Sequence, residues 1–177
     1  MKLAIIVEKG VMTMSKISKT NAMRLLDQAD IAYQTHTYEH HNEAVDGEQV
    51  AALLNQDPSQ VFKTLICVGH SRQYYVFMVP VNASLHLKQA AHAVHEKKVE
   101  MISVKDITKI SGYVRGGCSP LGMKKQFITV INQSALQYET IIYSGGKIGL
   151  QIECDPKLTA KLIKAEFADI MEGETHE

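Results

Sequence analysis

The spacing of apolar residues predicts a chain of short helices and strands. After the capping residue Thr20, apolar positions over residues 22–29 recur at helical spacing and form one face of a helix. A run rich in β-branched and aromatic residues over 61–68 predicts a largely buried strand, joined through a turn to a second strand over 74–79. The same reasoning predicts further strands over 33–39, 99–101, 127–131, 140–143 and 148–153, and further helices over 47–55, 85–94, 104–110 and 156–167.

Runs of strands with helices between them favour an α+β fold, with a mixed, barrel-like β-sheet flanked by helices. The 177 residues contain no internal repeat, low-complexity tract or linker, which predicts a single domain. We place this domain over residues 14–171. Residues 1–13 are expected to be an N-terminal extension and residues 172–177 a polar tail.

Composition and charge limit the classes of protein to consider. Apolar residues make up 45% of the chain and charged residues 21%, as in an ordinary globular domain. The 19 Lys and Arg balance the 19 Asp and Glu, so any RNA contact has to come from a local basic patch or from a partner. DNA binding is not expected. A membrane span is not expected either, because no stretch approaches the ~20 apolar residues of a spanning helix.

Cysteine and histidine usage gives no metal or disulfide pattern. Cys67, Cys118 and Cys154 are odd in number and widely spaced, so a reducing cytosol is the expected compartment. The apolar run over 3–7 is too short for a signal peptide. His36 and His40 would lie roughly 13 Å apart on a strand, too far to share a metal ion. No metal and no other cofactor is expected.

Two kinds of feature interrupt this ordinary pattern. Lys63 stands inside the apolar run, so its ammonium must reach solvent, find a partner or face a polar cleft. A charge that protects an edge strand is the simpler explanation. The loop V-R-G-G-C-S-P-L-G-M-K-K over 114–125 could hold a phosphate or an oxyanion through its backbone N–H groups, or could be only a turn. The turn at 144–146, Ser-Gly-Gly, leaves the same alternatives open.

Three motifs resemble, in the same order, those of the YbaK/EbsC family. They are V-F-K-T-L at 61–65, G-G-C-S-P-L-G-M-K-K at 116–125 and S-G-G-K-I-G-L-Q-I-E at 144–153. The resemblance runs from about Ser18 to Met171. The family consists of bacterial Cys-tRNA(Pro) deacylases related to the editing insertion of prolyl-tRNA synthetases. Membership implies a barrel-like mixed sheet and hydrolysis of the ester that joins cysteine to tRNA(Pro).

The resemblance also implies a site. Its expected catalytic residues are Lys63, Tyr38, Gly116 and Gly117, and its expected substrate-binding residues are Ser144, Gly145, Ser119, Gln151, Lys124 and Lys125. Family members often carry aspartate where this chain has Gln151, which puts a catalytic carboxylate at that position in question.

The chemistry implied by the family needs no nucleophile from the protein. The thiol of the substrate attacks the substrate's own carbonyl, which gives free tRNA and a cyclic thioester. Cys118 is then dispensable, while Lys63 meets the terminal ribose, a phosphate or the oxyanion. The backbone of Gly116 and Gly117 is expected to hold the carbonyl or the α-amino group.

Partners follow from the same resemblance. The family implies prolyl-tRNA synthetase as a partner that supplies affinity for tRNA by raising its effective concentration. Local lysines are expected to form a basic rim beside the site: Lys97, Lys98, Lys105, Lys109, Lys124 and Lys125.

Other functions remain compatible with the sequence. The chain could clear another small amino acid, such as alanine, from tRNA(Pro), or it could be a non-catalytic module that binds aminoacyl-tRNA or a synthetase. Gln151 favours the binding module, whereas Lys63 and the two glycine turns oppose it. A plain α+β domain without a site is disfavoured by the three ordered motifs.

Overall fold

The computed structural model describes residues 6–8, 11–13 and 18–172. Within these residues it contains two five-stranded sheets and five α-helices. The strands are β1 Ile6–Glu8, β2 Val11–Thr13, β3 Tyr33–Thr37, β4 Phe62–Gly69, β5 Tyr74–Pro80, β6 Val99–Met101, β7 Ile128–Asn132, β8 Ile141–Ser144, β9 Leu150–Cys154 and β10 Glu166–Ala168; the helices are α1 Asn21–Gln28, α2 Gly47–Leu53, α3 Leu87–Ala93, α4 Ile107–Ser111 and α5 Pro156–Ile163.

Both sheets are mixed. The first has the order β2-β1-β3-β9-β8, with β1 parallel to β3, and the second has the order β10-β7-β5-β4-β6, with β7 parallel to both β10 and β5. The sheets meet at one β-bridge between Val61 and Ile142, so the described strands form two joined sheets and not a closed barrel. The predicted α+β class, with mixed strands flanked by helices, is confirmed.

The buried residues place the main core between the two sheets. Leu26 of α1 and Ile163 of α5 pack there against Phe62, Ile131 and Ile152 from the sheets. Burial of these apolar side chains is the dominant favourable term in folding. The opposite face of the second sheet is covered by α3 and forms a second core.

A third, small cluster lies under α2. It joins Ala51 of that helix to Val61, Val81 and Ile142, where the two sheets meet. The cluster fixes α2 directly over the junction of the sheets, and this position matters for the site.

Most predicted elements are confirmed within a few residues, but the last helix is shorter than predicted. It ends at Ile163 because Lys164 takes a left-handed conformation, with φ of 55°, and closes the helix. Residues 166–168 then pair in parallel with β7 and form a strand that local sequence did not indicate. The predicted strand over 33–39 ends at Thr37.

The termini are only partly described. Strands β1 and β2 fall within the predicted extension 1–13; they pair antiparallel with each other, and β1 pairs in parallel with β3. Residues 173–177 of the predicted tail lie outside the described residues, and the domain limits stay a prediction. No helix in the described part of the chain is long and apolar enough to cross a membrane.

Candidate active site

A cavity of about 180 Å³ lies where the two sheets separate beyond the Val61–Ile142 bridge. Strand β4 forms one wall, the ends of β8 and β9 form the opposite wall, and α2 covers it. Strand β6 pairs only with residues 67–69 of β4, so no described strand pairs along the other half of that edge, where the gap lies. The polar residues that line the cavity are Tyr38, Lys63, Thr64, Cys118, Ser144 and Gln151, together with Tyr143, whose hydroxyl is bonded to Thr159 in the core.

Lys63 is the one charged residue among the described residues that line the cavity. It is half-buried, and its ammonium has no hydrogen-bond or ion-pair partner in the described part of the chain. No Asp or Glu of the described residues lines the cavity. A lone positive charge in a partly water-excluded space favours a ligand group that carries or develops negative charge.

The loop over 114–122 reaches the cavity through Gly116. Gly116 has φ of 83°, and a Cβ added there would lie 2.9 Å from Cα of Ala44, so the loop packs closely on that segment. A Cβ on Gly117 would lie 2.8 Å from Cα of Lys147. The two glycines therefore allow one loop to touch two other segments of backbone.

The backbone hydrogen bonds separate the roles of these two glycines. The N–H of Gly117 donates to the carbonyl of Val114 at 2.9 Å, so this group is already used within the loop, and the role of Gly117 in holding the substrate stays a prediction. The N–H of Gly116 bonds to no described residue, and Gly116 lines the cavity.

In the turn over 144–149, too, one residue lines the cavity and another serves the fold. Ser144 lines the cavity, and its Oγ accepts from the N–H of Gly146 at 3.3 Å. Gly145 donates to the carbonyl of Leu150 at 2.9 Å and accepts from Oγ1 of Thr20 at 2.6 Å. Both of its backbone groups are used within the fold and Gly145 is not among the lining residues, so it builds the turn; its role in binding substrate stays a prediction.

Gln151 lies at the cavity with only 5% of its surface exposed. Its Oε1 accepts from Nε2 of Gln56, 2.8 Å away. Two buried oxygens have no hydrogen-bond partner among the described residues: Oε1 of Gln56, the residue bonded to Gln151, and Oγ1 of Thr64, which lines the cavity. Unpaired buried polar atoms are rare in folded proteins, so the unpaired Oγ1 of a residue in the cavity lining points to a polar ligand.

Sequence reasoning missed Gln56 and Thr64. Gln56 follows α2 in a loop with no motif, so nothing in the sequence indicated it. Thr64 stands in V-F-K-T-L beside Lys63 and could have been singled out on that ground.

Tyr38 and Cys118 complete the polar lining. Tyr38 directly follows β3, and its N–H donates to the carbonyl of Gly149 at 3.0 Å. Burial raises the pKa of the Cys118 thiol to about 11, so the thiol is protonated near neutral pH and is a poor nucleophile.

The remaining expected site residues lie elsewhere. Ser119 is fully buried and its Oγ accepts from the N–H of Leu121 at 3.3 Å, so it shapes the loop and does not face the cavity, contrary to the expectation. Lys124 and Lys125 are exposed and lie outside the lining.

The predicted basic rim is wrong for two of its lysines. The carbonyl of Lys98 accepts from the N–H of His70 at 3.0 Å, which places Lys97 and Lys98 beyond the end of β4. That end is six residues from Lys63, or about 20 Å along a strand.

His36 and His40 have separate partners. Nε2 of His36 lies 2.8 Å from Oε1 of Glu153, and the ring of His40 contacts that of Tyr38 with 6.4 Å between centroids. Among the described residues, no three side chains of His, Cys, Asp or Glu are grouped as metal ligands.

Comparison with known proteins identifies relatives of this chain. Residues 41–162 match the model of a family described as the aminoacyl-tRNA editing domain. A protein of Enterococcus faecalis, named as a candidate Cys-tRNA(Pro)/Cys-tRNA(Cys) deacylase, EbsC, is 43% identical over 152 residues, which cover 86% of this chain and 93% of the relative.

Solved structures share the fold at low identity. One is described as a candidate trans-editing enzyme for prolyl-tRNA synthetase; its TM-score is 0.73 at 20% identity, and the match covers 88% of this chain and 100% of that one. A hypothetical protein has a TM-score of 0.78 at 18% identity, with 86% of this chain and 100% of that one covered. At these identities the structures establish the fold alone.

Proposed function

Since the chain belongs to the aminoacyl-tRNA editing domain family, we propose that it is a trans-editing hydrolase that deacylates Cys-tRNA(Pro). The observation that carries the proposal is the partner-free Lys63 ammonium in a cavity whose described lining has no carboxylate. Such a cavity has no evident general base, but it is suited to stabilise negative charge that develops on a substrate.

The proposed reaction uses the substrate's thiol as nucleophile. The sulfur attacks the carbonyl of the aminoacyl ester, the bond from that carbonyl to the ribose oxygen breaks, and the ribose oxygen takes a proton as tRNA leaves. The product, a cyclic thioester, is then hydrolysed by water to free cysteine. Holding thiol and carbonyl together replaces a bimolecular attack by an intramolecular one.

The residues around the cavity have distinct tasks in this reaction. The Lys63 ammonium and the free N–H of Gly116 stabilise the carbonyl oxygen as it becomes an oxyanion. The hydroxyls of Tyr38 and Ser144 and the amide of Gln151 orient the ribose and the α-amino group. Cys118, as a protonated thiol, takes no part.

The apolar part of the cavity suits a small side chain. Val45, Val50, Val61 and Val81 line it together with Phe62. A hydrophobic pocket of this kind discriminates weakly among small amino acids, by about 1–3 kcal/mol per methylene. Selectivity for cysteine then comes from chemistry, because a substrate without the thiol lacks the nucleophile.

The test is a deacylation assay with Cys-tRNA(Pro), Ala-tRNA(Pro) and Cys-tRNA(Cys). We expect rapid release of cysteine and little release of alanine. Preferential release of alanine would replace the thiol mechanism by clearance of a different amino acid. Binding of aminoacyl-tRNA without release of either amino acid would establish the non-catalytic module, which Gln151 favours by replacing a carboxylate common in the family.

Prolyl-tRNA synthetase is the proposed partner in trans. The chain has no net charge, so it should bind free tRNA weakly at physiological salt. A synthetase that carries the mischarged tRNA would raise its effective concentration at the cavity. Addition of the synthetase should therefore lower the KM for Cys-tRNA(Pro), and an unchanged KM would contradict the partnership.

A further inference from the structure

We propose that Lys105, Lys109, Arg115, Lys124 and Lys125 form one phosphate-binding surface for the acceptor end of the tRNA, called here the 105–125 basic surface. The proposal rests on the proposed function, since it concerns how the substrate of that cavity is held. It replaces the broader rim expected from sequence, from which Lys97 and Lys98 are excluded by their position.

Charge is concentrated in this segment. Residues 104–125 contain five Lys and Arg against the single acid Asp106, although the whole chain is neutral. All five basic side chains are exposed. None of them forms an ion pair with a carboxylate in the part of the chain that the structure describes. Their charge is therefore available to an external anion.

Contacts within the fold attach this surface to the cavity. Arg115 directly precedes Gly116, which lines the cavity. Tyr113 packs beside Gly146 of the other cavity turn, where an added Cβ would lie 3.1 Å from Cε1 of the tyrosine. The Tyr113 hydroxyl donates to the carbonyl of Leu121 at 2.6 Å and holds the two ends of the loop together.

The lysines are linked to the same loop. The stem of Lys124 crosses Gly112, where an added Cβ would lie 2.9 Å from its Cγ, and its Nζ donates to the carbonyl of Lys109 at 3.4 Å. Lys105 lies one helical turn before Lys109. The basic groups thus lie on adjoining segments that lead to Gly116.

The chemistry of the substrate explains why phosphates should pass here. The aminoacyl ester is on the terminal ribose of the tRNA. When that ester lies in the cavity, the phosphates of the preceding nucleotides must lie across the rim of the cavity. Lysine and arginine bind such phosphates without reading sequence, with an affinity that falls steeply as salt rises.

The chain offers a matched control. Lys157, Lys161 and Lys164 are also exposed and without described ion pairs, but they lie on or directly after α5, which contributes no residue to the cavity. Replacing either set of three lysines by glutamine changes the net charge by the same amount. Any difference between the two variants therefore reflects position.

The experiment measures binding of unacylated tRNA(Pro) and of its acceptor minihelix by fluorescence anisotropy across about 50–200 mM salt. It compares the wild type with the triple variants Lys109→Gln/Lys124→Gln/Lys125→Gln and Lys157→Gln/Lys161→Gln/Lys164→Gln. We expect only the first to bind more weakly, and its log–log salt slope to be shallower by about 2 to 3, since each phosphate contact contributes about 0.7–0.9.

Two outcomes would overturn the proposal: equal losses of tRNA affinity in both triple variants, or no loss of affinity in the first. The single variants Lys105→Gln and Lys125→Gln, at exposed side chains without described hydrogen bonds, serve if the triple variant fails to fold. Deacylation by the wild type is a separate measurement. A protein that binds tRNA through this surface but releases no cysteine would contradict the proposed function and leave the surface intact.

Discussion

The two sides of strands β8 and β9 differ sharply. On the core side, Ile152 is fully buried, and the hydroxyl of the buried Tyr143, whose side chain also reaches the cavity lining, is 2.8 Å from its partner Oγ1 of Thr159. On the cavity side, Ser144 and Gln151 belong to a polar lining that includes Thr64, whose buried Oγ1 has no hydrogen-bond partner among the described residues.

This difference separates stability from function along the same strands. Side chains alternate between the two faces of a strand, so neighbouring residues can serve different purposes. The core side, where the Tyr143 hydroxyl has a hydrogen-bond partner, resembles an ordinary core. The cavity side lacks partners that a ligand would supply, and substitutions there should change activity more than stability.

The largest expected effect is at Lys63. The Lys63→Ala variant should fold normally but lose roughly 100- to 1,000-fold of its deacylation rate, since loss of one group that stabilises an oxyanion costs about 2.7–4 kcal/mol. Folding should survive because the ammonium has no described partner that its removal would leave unpaired. Single-turnover hydrolysis of Cys-tRNA(Pro) measures the deacylation rate, and thermal melts of the same variant measure its stability.

The Lys63→Arg variant is the control for charge alone. A planar guanidinium needs a different space from a compact ammonium, so we expect incomplete rescue. Near-normal rates in Lys63→Ala would reduce this residue to a charge that protects the open edge of β4.

The core side should show the reverse behaviour. In Thr159→Val the shape of the side chain is kept but the buried hydroxyl of Tyr143 loses its partner, which should lower the free energy of unfolding by about 1–3 kcal/mol. Burial raises the pKa of Tyr143 well above its ordinary value, so the hydroxyl stays protonated near neutral pH and remains unpaired in the variant. Deacylation below the melting temperature should be retained, and a large loss of rate without a loss of stability would break the comparison.

A smaller effect is expected at Gln56, which contacts the cavity only through Gln151. One hydrogen bond contributes about 0.5–1.5 kcal/mol, so Gln56→Ala should lower kcat/KM roughly twofold to tenfold. Gln60→Ala is the matched control, because its amide donates to the carbonyl of Thr140 at 2.8 Å and Gln60 does not line the cavity. Equal values of kcat/KM in the two variants would show that Gln56 does not contribute to the site.

Sequence and structure agree where the signal is local. Thr20 caps α1 through Oγ1, which accepts from the N–H of Met23, and the run over 61–68 forms β4 as predicted. The motifs correctly indicated that Lys63, Gly116 and Ser144 would be neighbours, since all three line one cavity.

The parts that sequence did not reveal depend on contacts between distant segments. Whether a glycine N–H is free is decided by its partner, as with Gly117 and Val114, and composition cannot show this. Strand β10 forms because β7 offers an edge to residues 166–168. Gln56 reaches the site through a residue 95 positions away in the chain.

The smallest expected effect is at Cys118, although it lines the cavity. Burial raises the pKa of this thiol to about 11, so a mechanism that used its thiolate would gain rate with pH up to that value. A mechanism that uses the substrate's thiol should instead level off near the ordinary thiol pKa of about 8.5. Cys118→Ala should therefore keep both the rate and the pH profile of the wild type in single-turnover assays. A lost rate in a folded variant, or an aminoacyl group found on Cys118, would transfer the nucleophile from the substrate to the protein.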